Sequence, residues 1–312
     1  MMMEKEKRKR RTDASIRGSG ASRSFRFLEG EGFGSKTEAA AAFELNLEMA
    51  SSAAFTWICL LSISAAYISA KALKHDDALD RFDYSFGPYG PDNWGSLRAD
   101  WHLCSDGDSQ SPMAMENGMM VLDPSLGPLL AEYKTANATI VNVGRSIQVW
   151  WPGAGSLIIG NTTYYIKDID FHTPSEHTLG LFNDRFPMEM HLVHRTKDHQ
   201  KIAVIAILFT FGDEDRFLAQ FFNRLPPLSS KNRIFDLGEI SARYLPFPLG
   251  QHYGRYMGSE THPPCNEDVL WTVVHYEGHT VSMAQLVKLK DVIESDNARP
   301  LQVGNGRQFH FL

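Results

Sequence analysis

Apolar and polar residues alternate over most of the chain beyond residue 138, which is the spacing of half-buried β-strands. Thr139-Ile-Val-Asn-Val143 and Ser146-Ile-Gln-Val-Trp150 flank a turn at Gly144-Arg145. Ser156–Ile159 and Tyr164–His172 flank Gly160-Asn161, a second hairpin signal. Met188–Arg195 and Ile202–Phe211 follow on either side of the polar turn Thr196–Gln200, and Leu270–His275 returns to strand. Helical spacing is confined to Glu214–Leu225, Phe235–Tyr244 and Ser282–Ile293, with Ser282 placed to cap the last. No internal repeat interrupts the pattern. It predicts a mainly β fold, with a large, mostly antiparallel sheet and peripheral helices in a single domain.

The first eighty residues follow other rules. Residues 1–52 hold a basic cluster, Lys5–Arg11, then Gly, Ser and Arg without apolar periodicity, and predict a disordered leader. Met49 is an alternative start. Within residues 53–72, Ala53 to Ala70 is an uncharged, mostly apolar run and Ala70-Lys-Ala72 a small-x-small triplet, so the segment reads as a signal peptide or a signal anchor. Either reading sends the domain over 81–312 into the secretory pathway, secreted or lumenal, with membrane contact only through that segment. Arg81–Ser111, rich in Gly, Pro, Asp and Trp, reads as an irregular arm lying over the domain.

The 312 residues, 43% of them hydrophobic, suffice for a large core, and a net charge of -6 argues against nucleic acid as a partner. Three cysteines are present, and Cys59 lies in the apolar run. That leaves Cys104 and Cys265, either as a disulfide suited to an oxidising compartment or as two buried thiols. Asn137-Ala-Thr139 and Asn161-Thr-Thr163 are glycosylation sequons.

Two runs carry the candidate chemistry. In Asp168-Ile-Asp-Phe-His172, period-two alternation puts Asp170 and His172 on one face; in Met188-Glu-Met-His-Leu-Val-His194, it groups Glu189, His191 and Val193. If the strands are neighbours, Asp170, His172 and His191 converge with Glu189 behind them. Three ligands and a supporting carboxylate describe a zinc site with an open position. His194 faces the other way, and His75, His102, His199, His252, His275, His279 and His310 lack a partner at useful spacing.

The words around those ligands resemble the α-class carbonic anhydrases, particularly plant and secreted members. The resemblance rests on Gly87–Trp94, Gln110-Ser-Pro112, Thr173–His177, Glu189–His194, Gly258–Cys265 and Asn297–Gln302, in the family's order and spacing from about Phe82 onward. It implies a large twisted sheet with zinc at the bottom of a conical cleft, and reversible hydration of CO2 to bicarbonate by zinc-bound hydroxide. It also implies a Cys104–Cys265 disulfide. One departure stands out: the family has three histidines where this chain has Asp170, His172 and His191. A carboxylate ligand lowers the net charge at the metal, so bound water is polarised less and activity weakens.

The resemblance assigns the remaining site residues. Glu189 matches the carboxylate that orients His191; Thr261 and Glu176 match the hydroxyl and carboxylate that orient the attacking oxygen. His177 and Tyr84 match buried polar positions. Val193, Val204, Val269 and Trp271 match the wall against which CO2 rests. Asp168 replaces an amide and either places a second carboxylate beside Asp170 or turns toward solvent and Lys167. Arg145 occupies the position of a proton-carrying histidine, and arginine does not deprotonate. Glu260 brings charge to the CO2 pocket and is a candidate partner for Arg145, while His262 is a candidate proton shuttle. The alternative to an enzyme is a catalytically inactive relative that serves as a binding or storage protein.

Overall fold

The structure, a computed structural model, describes residues 81–312 apart from 117, 181–183 and 246–252, and leaves out the side chains of 275–278. The basic leader over 1–52 and the apolar run over 53–72 lie outside the described residues. No helix among the described residues is long and apolar enough to cross a membrane.

A twelve-stranded sheet dominates the described residues. Its central path runs from Ile234–Ile240 through Ala136–Asn142, Ile147–Trp150, Thr162–His172, Met188–Arg195, Ile202–Phe211, Val269–Val281 and Tyr253–Gly258. Neighbours on that path are antiparallel except Ile202–Phe211 against Val269–Val281, which is parallel. The mostly antiparallel expectation therefore holds; the parallel pair on this path lies beside the site, and Phe309–Phe311 pairs parallel with Met120–Leu122 at the sheet's far end.

Alternation divides the apolar residues between two cores. Ile205, Ile207 and Phe209 join Ile169, Phe171, Met190 and Leu192 in the larger one. Val204, Ala206 and Leu208 join Val269, Trp271 and Val273 on the opposite face. The Met283–Lys290 helix buries Leu286 and Leu289 against the larger core. Ser282 caps that helix through a reciprocal capping box with Gln285, as its position predicts.

Two sequence expectations change in the fold. The stretch Phe235–Tyr244 was expected to be helical, yet Ile234–Ile240 is a strand paired antiparallel with Ala136–Asn142. Leu237 and Ile240 have helical spacing, but the open backbone edge of Ala136–Asn142 supplies ladder hydrogen bonds and a register shift at Leu237 lets both side chains be buried. Only Ala242–Tyr244 turns helically. The N-terminal arm is less irregular than expected, since Pro91–Asn93, Trp94–Leu97, Ala99–Trp101 and Leu103–Asp106 are short helical turns.

That arm is fastened at several points. Trp94, wholly buried, donates its indole N–H to the carbonyls of Asp83 and Tyr89, each at 3.0 Å. Phe82, Trp94 and Trp101 form a small core with Cys104 and Cys265. The two cysteines are joined in a disulfide with their Cα atoms 5.1 Å apart. The bond ties the arm to the loop that carries Glu260, Thr261 and His262, because Cys265 lies at the end of that loop.

Candidate metal centre

Register brings the candidate ligands together. Thr162–His172 and Met188–Arg195 pair antiparallel, so Asp170 is opposite His191 and His172 is opposite Glu189. All four side chains are buried. His191 Nδ1 lies 3.1 Å from Asp170 Oδ1, and His172 Nε2 lies 3.6 Å from the same oxygen. A register shift opposite Val193/His194 leaves Lys167 out of the pairing and keeps Asp168, Asp170 and His172 on the cleft face.

The partner of each ring fixes which nitrogen is left over. His191 Nε2 bonds to Glu189 Oε1 at 2.7 Å, leaving Nδ1 toward Asp170. His172 Nδ1 bonds to the Asn297 carbonyl at 2.8 Å, leaving Nε2. Asp170 Oδ1 and His172 Nε2 are buried without a hydrogen-bond partner. Buried polar atoms are rarely left unpaired, so two orphans aimed at one another mark a place built for a third party. Asp170, His172 and His191 each offer one ligand atom within 4.8 Å of the others. A two-nitrogen, one-carboxylate donor set is a known zinc environment, and the residues fit that ion.

Glu189 is the anchor behind the ligands. Its Oε1 accepts from His177 Nδ1 and His191 Nε2, both at 2.7 Å, and its Oε2 accepts the backbone N–H groups of Glu176 and His177, both at 2.8 Å. Burial opposes its ionisation, but the charges and hydrogen bonds of His177 and His191 hold the carboxyl well below its ordinary range. His177 passes the chain on through Nε2 to the Tyr256 hydroxyl at 2.8 Å, which meets Ser111 Oγ at 2.8 Å.

The metal-free site is strongly charged. Burial opposes the Asp170 carboxylate, yet the His172 and His191 rings beside it hold it far below the usual carboxylate range. Burial likewise works against a charged His191, but the Glu189 and Asp170 carboxylates outweigh it and raise its pKa well above 6.5. Asp168 lines the cleft together with Asp170. Burial and the Asp170 charge raise it to about 7, with Arg195 partly offsetting them. Tyr84 is half-buried; burial first, then Glu176, push its hydroxyl well above the ordinary value.

A cleft of about 170 Å³ opens over Asp170 and His191. Val193, Val204, Val269 and Trp271 line it, joined by Ile202. Glu260, Thr261 and His262 line it from the loop. His262 Nδ1 bonds to the Pro263 carbonyl at 2.9 Å, leaving Nε2 as the other ring nitrogen. Glu176 Oε1 accepts the Arg299 backbone N–H at 2.8 Å, whereas Glu176 Oε2 has no hydrogen-bond partner. No hydrogen bond joins Thr261 to Glu176 in this structure, so the relay between them is open.

Arg145 and Glu260 do not form the pair considered from sequence. The Arg145 guanidinium lies 3.8 Å from the centre of the Phe82 ring, stacked on the N-terminal arm. Glu260 Oε1 instead meets Arg195 Nη2 at 3.4 Å. Arg145 is next in chain to a turn glycine, while Arg195 ends the second ligand strand on the cleft face; the fold gives Glu260 the nearer cation.

Sequence reasoning passed over several cleft and support residues. Gln148 lines the cleft and stands opposite Asp170 in the sheet. Arg195 could have been found by carrying the alternation Glu189, His191, Val193 one step further. Asn297 and Arg299 lay in a quoted motif without a role; Arg299 is buried, with Nη1 bonding Gln110 Oε1 at 2.9 Å and the Ser111 carbonyl at 2.7 Å. Tyr256 carried no local signal. His194, set aside from the metal, is buried on the reverse face and bonds the Tyr133 hydroxyl at 2.8 Å.

Sheet, ligand set and cleft together define a carbonic anhydrase-type scaffold. Residues 89–310 match the family model for the eukaryotic-type carbonic anhydrases, and the chain belongs to that family. It is 40% identical over 261 residues to dioscorin DB3L of Dioscorea polystachya, covering 81% of this chain and 93% of that one. It is 34% identical over 258 residues to alpha carbonic anhydrase 5 of Arabidopsis thaliana, covering 80% and 91%. Among solved structures, a dioscorin complexed with ascorbate superposes with a TM-score of 0.69 at 38% identity, covering 74% of this chain and 97% of that one. The α-carbonic anhydrase of Thermovibrio ammonificans, in complex with sulfanilamide, gives 0.68 at 33% identity, covering 74% and 99%.

Proposed function

We propose that this chain is a zinc-dependent carbonic anhydrase that interconverts CO2 and bicarbonate more slowly than members with three histidine ligands. The observation that carries the reading is the pair of orphaned buried atoms, Asp170 Oδ1 and His172 Nε2, with His191 Nδ1 3.1 Å from the same carboxylate oxygen. In such a site zinc supplies Lewis-acid activation of water at near-neutral pH. Asp170, His172 and His191 would hold it, and Glu189 and the Asn297 carbonyl keep the two rings in the ligating orientation. The apolar wall of Val193, Val204, Val269 and Trp271 seats CO2 and keeps bulk water from it. The Thr261 hydroxyl would orient the attacking oxygen on closing the open relay to Glu176 Oε2, which has no hydrogen-bond partner in the structure. The carboxylate of Asp170 reduces the net charge at the metal, which is the reason for slower turnover.

Metal analysis of the purified lumenal domain, paired with a CO2-hydration assay, tests the reading. Stoichiometric zinc and chelator-sensitive hydration are expected. A folded domain that neither takes up zinc nor hydrates CO2 would overturn it.

A second reading, a binding protein with an idle metal site, draws on the open Thr261–Glu176 relay and on Arg145 standing where a proton carrier is needed. The dioscorin solved with ascorbate supports it, as a relative on this scaffold that takes a small polar ligand. The intact anchoring of His191 and His172 favours the enzyme.

Delivery to the secretory pathway belongs to the same proposal. The Cys104–Cys265 disulfide and the exposure of Asn137 and Asn161 suit an oxidising, glycosylating compartment. A mobility shift on glycosidase treatment, lost when Asn137 and Asn161 are both replaced, is the expected result. A mature protein that is reduced, unglycosylated and cytosolic would defeat this part.

A further inference from the structure

Charge in the cleft is arranged around one guanidinium. Arg195 lies two positions beyond Val193 on the same strand, so strand alternation turns its side chain onto the cleft face. Its Nη2 lies 3.4 Å from Glu260 Oε1. Glu260 is held from its other side by Asn266, whose Nδ2 donates to Oε2 at 3.0 Å. The Glu260 side chain is only 15% exposed, whereas that of Arg195 is 33% exposed. The remaining guanidinium N–H groups of Arg195 make no hydrogen bond among the described residues.

Three carboxylates line the same space: Asp168, Asp170 and Glu260. Arg195 is the one lysine or arginine among the lining residues, and His191 and His262 are the other ionisable groups there. The charges of Arg195 and Glu260 are both felt at Asp168, so they act as one cluster. In a narrow cleft with apolar walls such charges are screened poorly.

We propose that Arg195 is a specificity-determining residue that admits a small oxyanion, bicarbonate, to this carboxylate-rich cleft, and that Glu260 competes with the anion for its guanidinium. The proposal rests on the reading of this cleft as the place where bicarbonate forms. A guanidinium offers a planar fork of donors matched to a carboxylate-like anion, and one carboxylate at 3.4 Å leaves most of that fork unused. Loss of Arg195 leaves Glu260 without its cation, so an entering anion meets uncompensated negative charge. Loss of the Glu260 charge frees the guanidinium for the anion. The two changes therefore act in opposite directions, which a merely structural pair would not do.

The test uses line broadening of 13C-labelled bicarbonate, measured on metal-free and zinc-loaded protein. Arg195→Gln is expected to weaken bicarbonate binding about tenfold, and Arg195→Lys less, because it keeps the charge without the fork. Glu260→Gln is expected to tighten binding about threefold, and the double variant to fall near Arg195→Gln. Should Arg195→Gln fail to fold, Glu260→Gln decides alone. Bicarbonate affinity unchanged within about twofold in both variants, or shifted in the same direction by both, would overturn the proposal. Opposed shifts in a zinc-loaded protein that does not hydrate CO2 would uphold it while removing the enzymatic reading.

Discussion

His191 and Asp170 stand directly opposite each other across two antiparallel strands, with the imidazole Nδ1 3.1 Å from the carboxylate Oδ1. The short side chain of Asp170 therefore reaches the place where the two histidine nitrogens converge. It brings a negative charge to a position that an imidazole would leave neutral. The consequences for metal binding and turnover can be measured.

Asp170→His supplies a neutral nitrogen, relieves the repulsion with Asp168 and returns positive charge to the metal. Zinc should bind about tenfold more tightly, and the inflection of the hydration rate should move to lower pH. Chelator competition and a pH–rate profile read the two effects. Adding His191→Ala should abolish both gains. An Asp170→His domain that folds but changes neither quantity would show that Asp170 does not serve the metal.

Glu189→Gln keeps the shape of the anchor and removes its charge. The amide cannot accept from His177 Nδ1, His191 Nε2 and two backbone N–H groups as the carboxylate does. His191 loses its fixed orientation, and zinc affinity should fall about 10–100-fold. Titration with a competing chelator checks this, with circular dichroism confirming the fold.

Asp168 makes the metal-free domain sensitive to pH. Its folded value of about 7 lies above the ordinary 3.8, so the folded chain holds a proton that the unfolded chain releases between those values. That contribution favours the fold in acid and is lost as pH rises toward 7. Asp168→Asn removes the dependence and should stabilise the metal-free domain at pH 8 by about 1–2 kcal/mol, with little gain at pH 4. Urea unfolding at the two pH values reads the difference; an equal effect at both would contradict it.

Arg145→His puts a titratable group at the position now stacked on Phe82 and leaves the ligands in place. In the native protein the guanidinium is stacked on Phe82 and cannot carry protons. Added imidazole buffer should therefore raise native turnover about threefold more than it raises that of Arg145→His. An identical buffer response in both forms would mean that proton transfer does not limit the reaction.

Much of the site was legible because its logic is local. Period-two alternation alone grouped Asp170 with His172, and separately Glu189, His191 and Val193, while setting His194 on the reverse face. Ser282 as a helix cap was equally legible, since a cap acts within one turn. Phe235–Tyr244 was misread for the complementary reason. Its apolar spacing suited a helix, and the choice fell to an unpaired strand edge more than ninety residues away in the chain (Asp236 faces Thr139).

The sequence by itself determined which side chains share a face, because that depends on backbone geometry repeating every two residues. It also supplied the chemistry of the donors and the motif order that marks the family. Only the tertiary structure decided that the two ligand strands are neighbours in a register placing Asp170 against His191. It also decided that Glu260 answers to Arg195 and that Glu176 Oε2 is left without a partner. Those outcomes depend on how distant segments close on one another. Burial and charge are properties of that closure, and no local repeat encodes them.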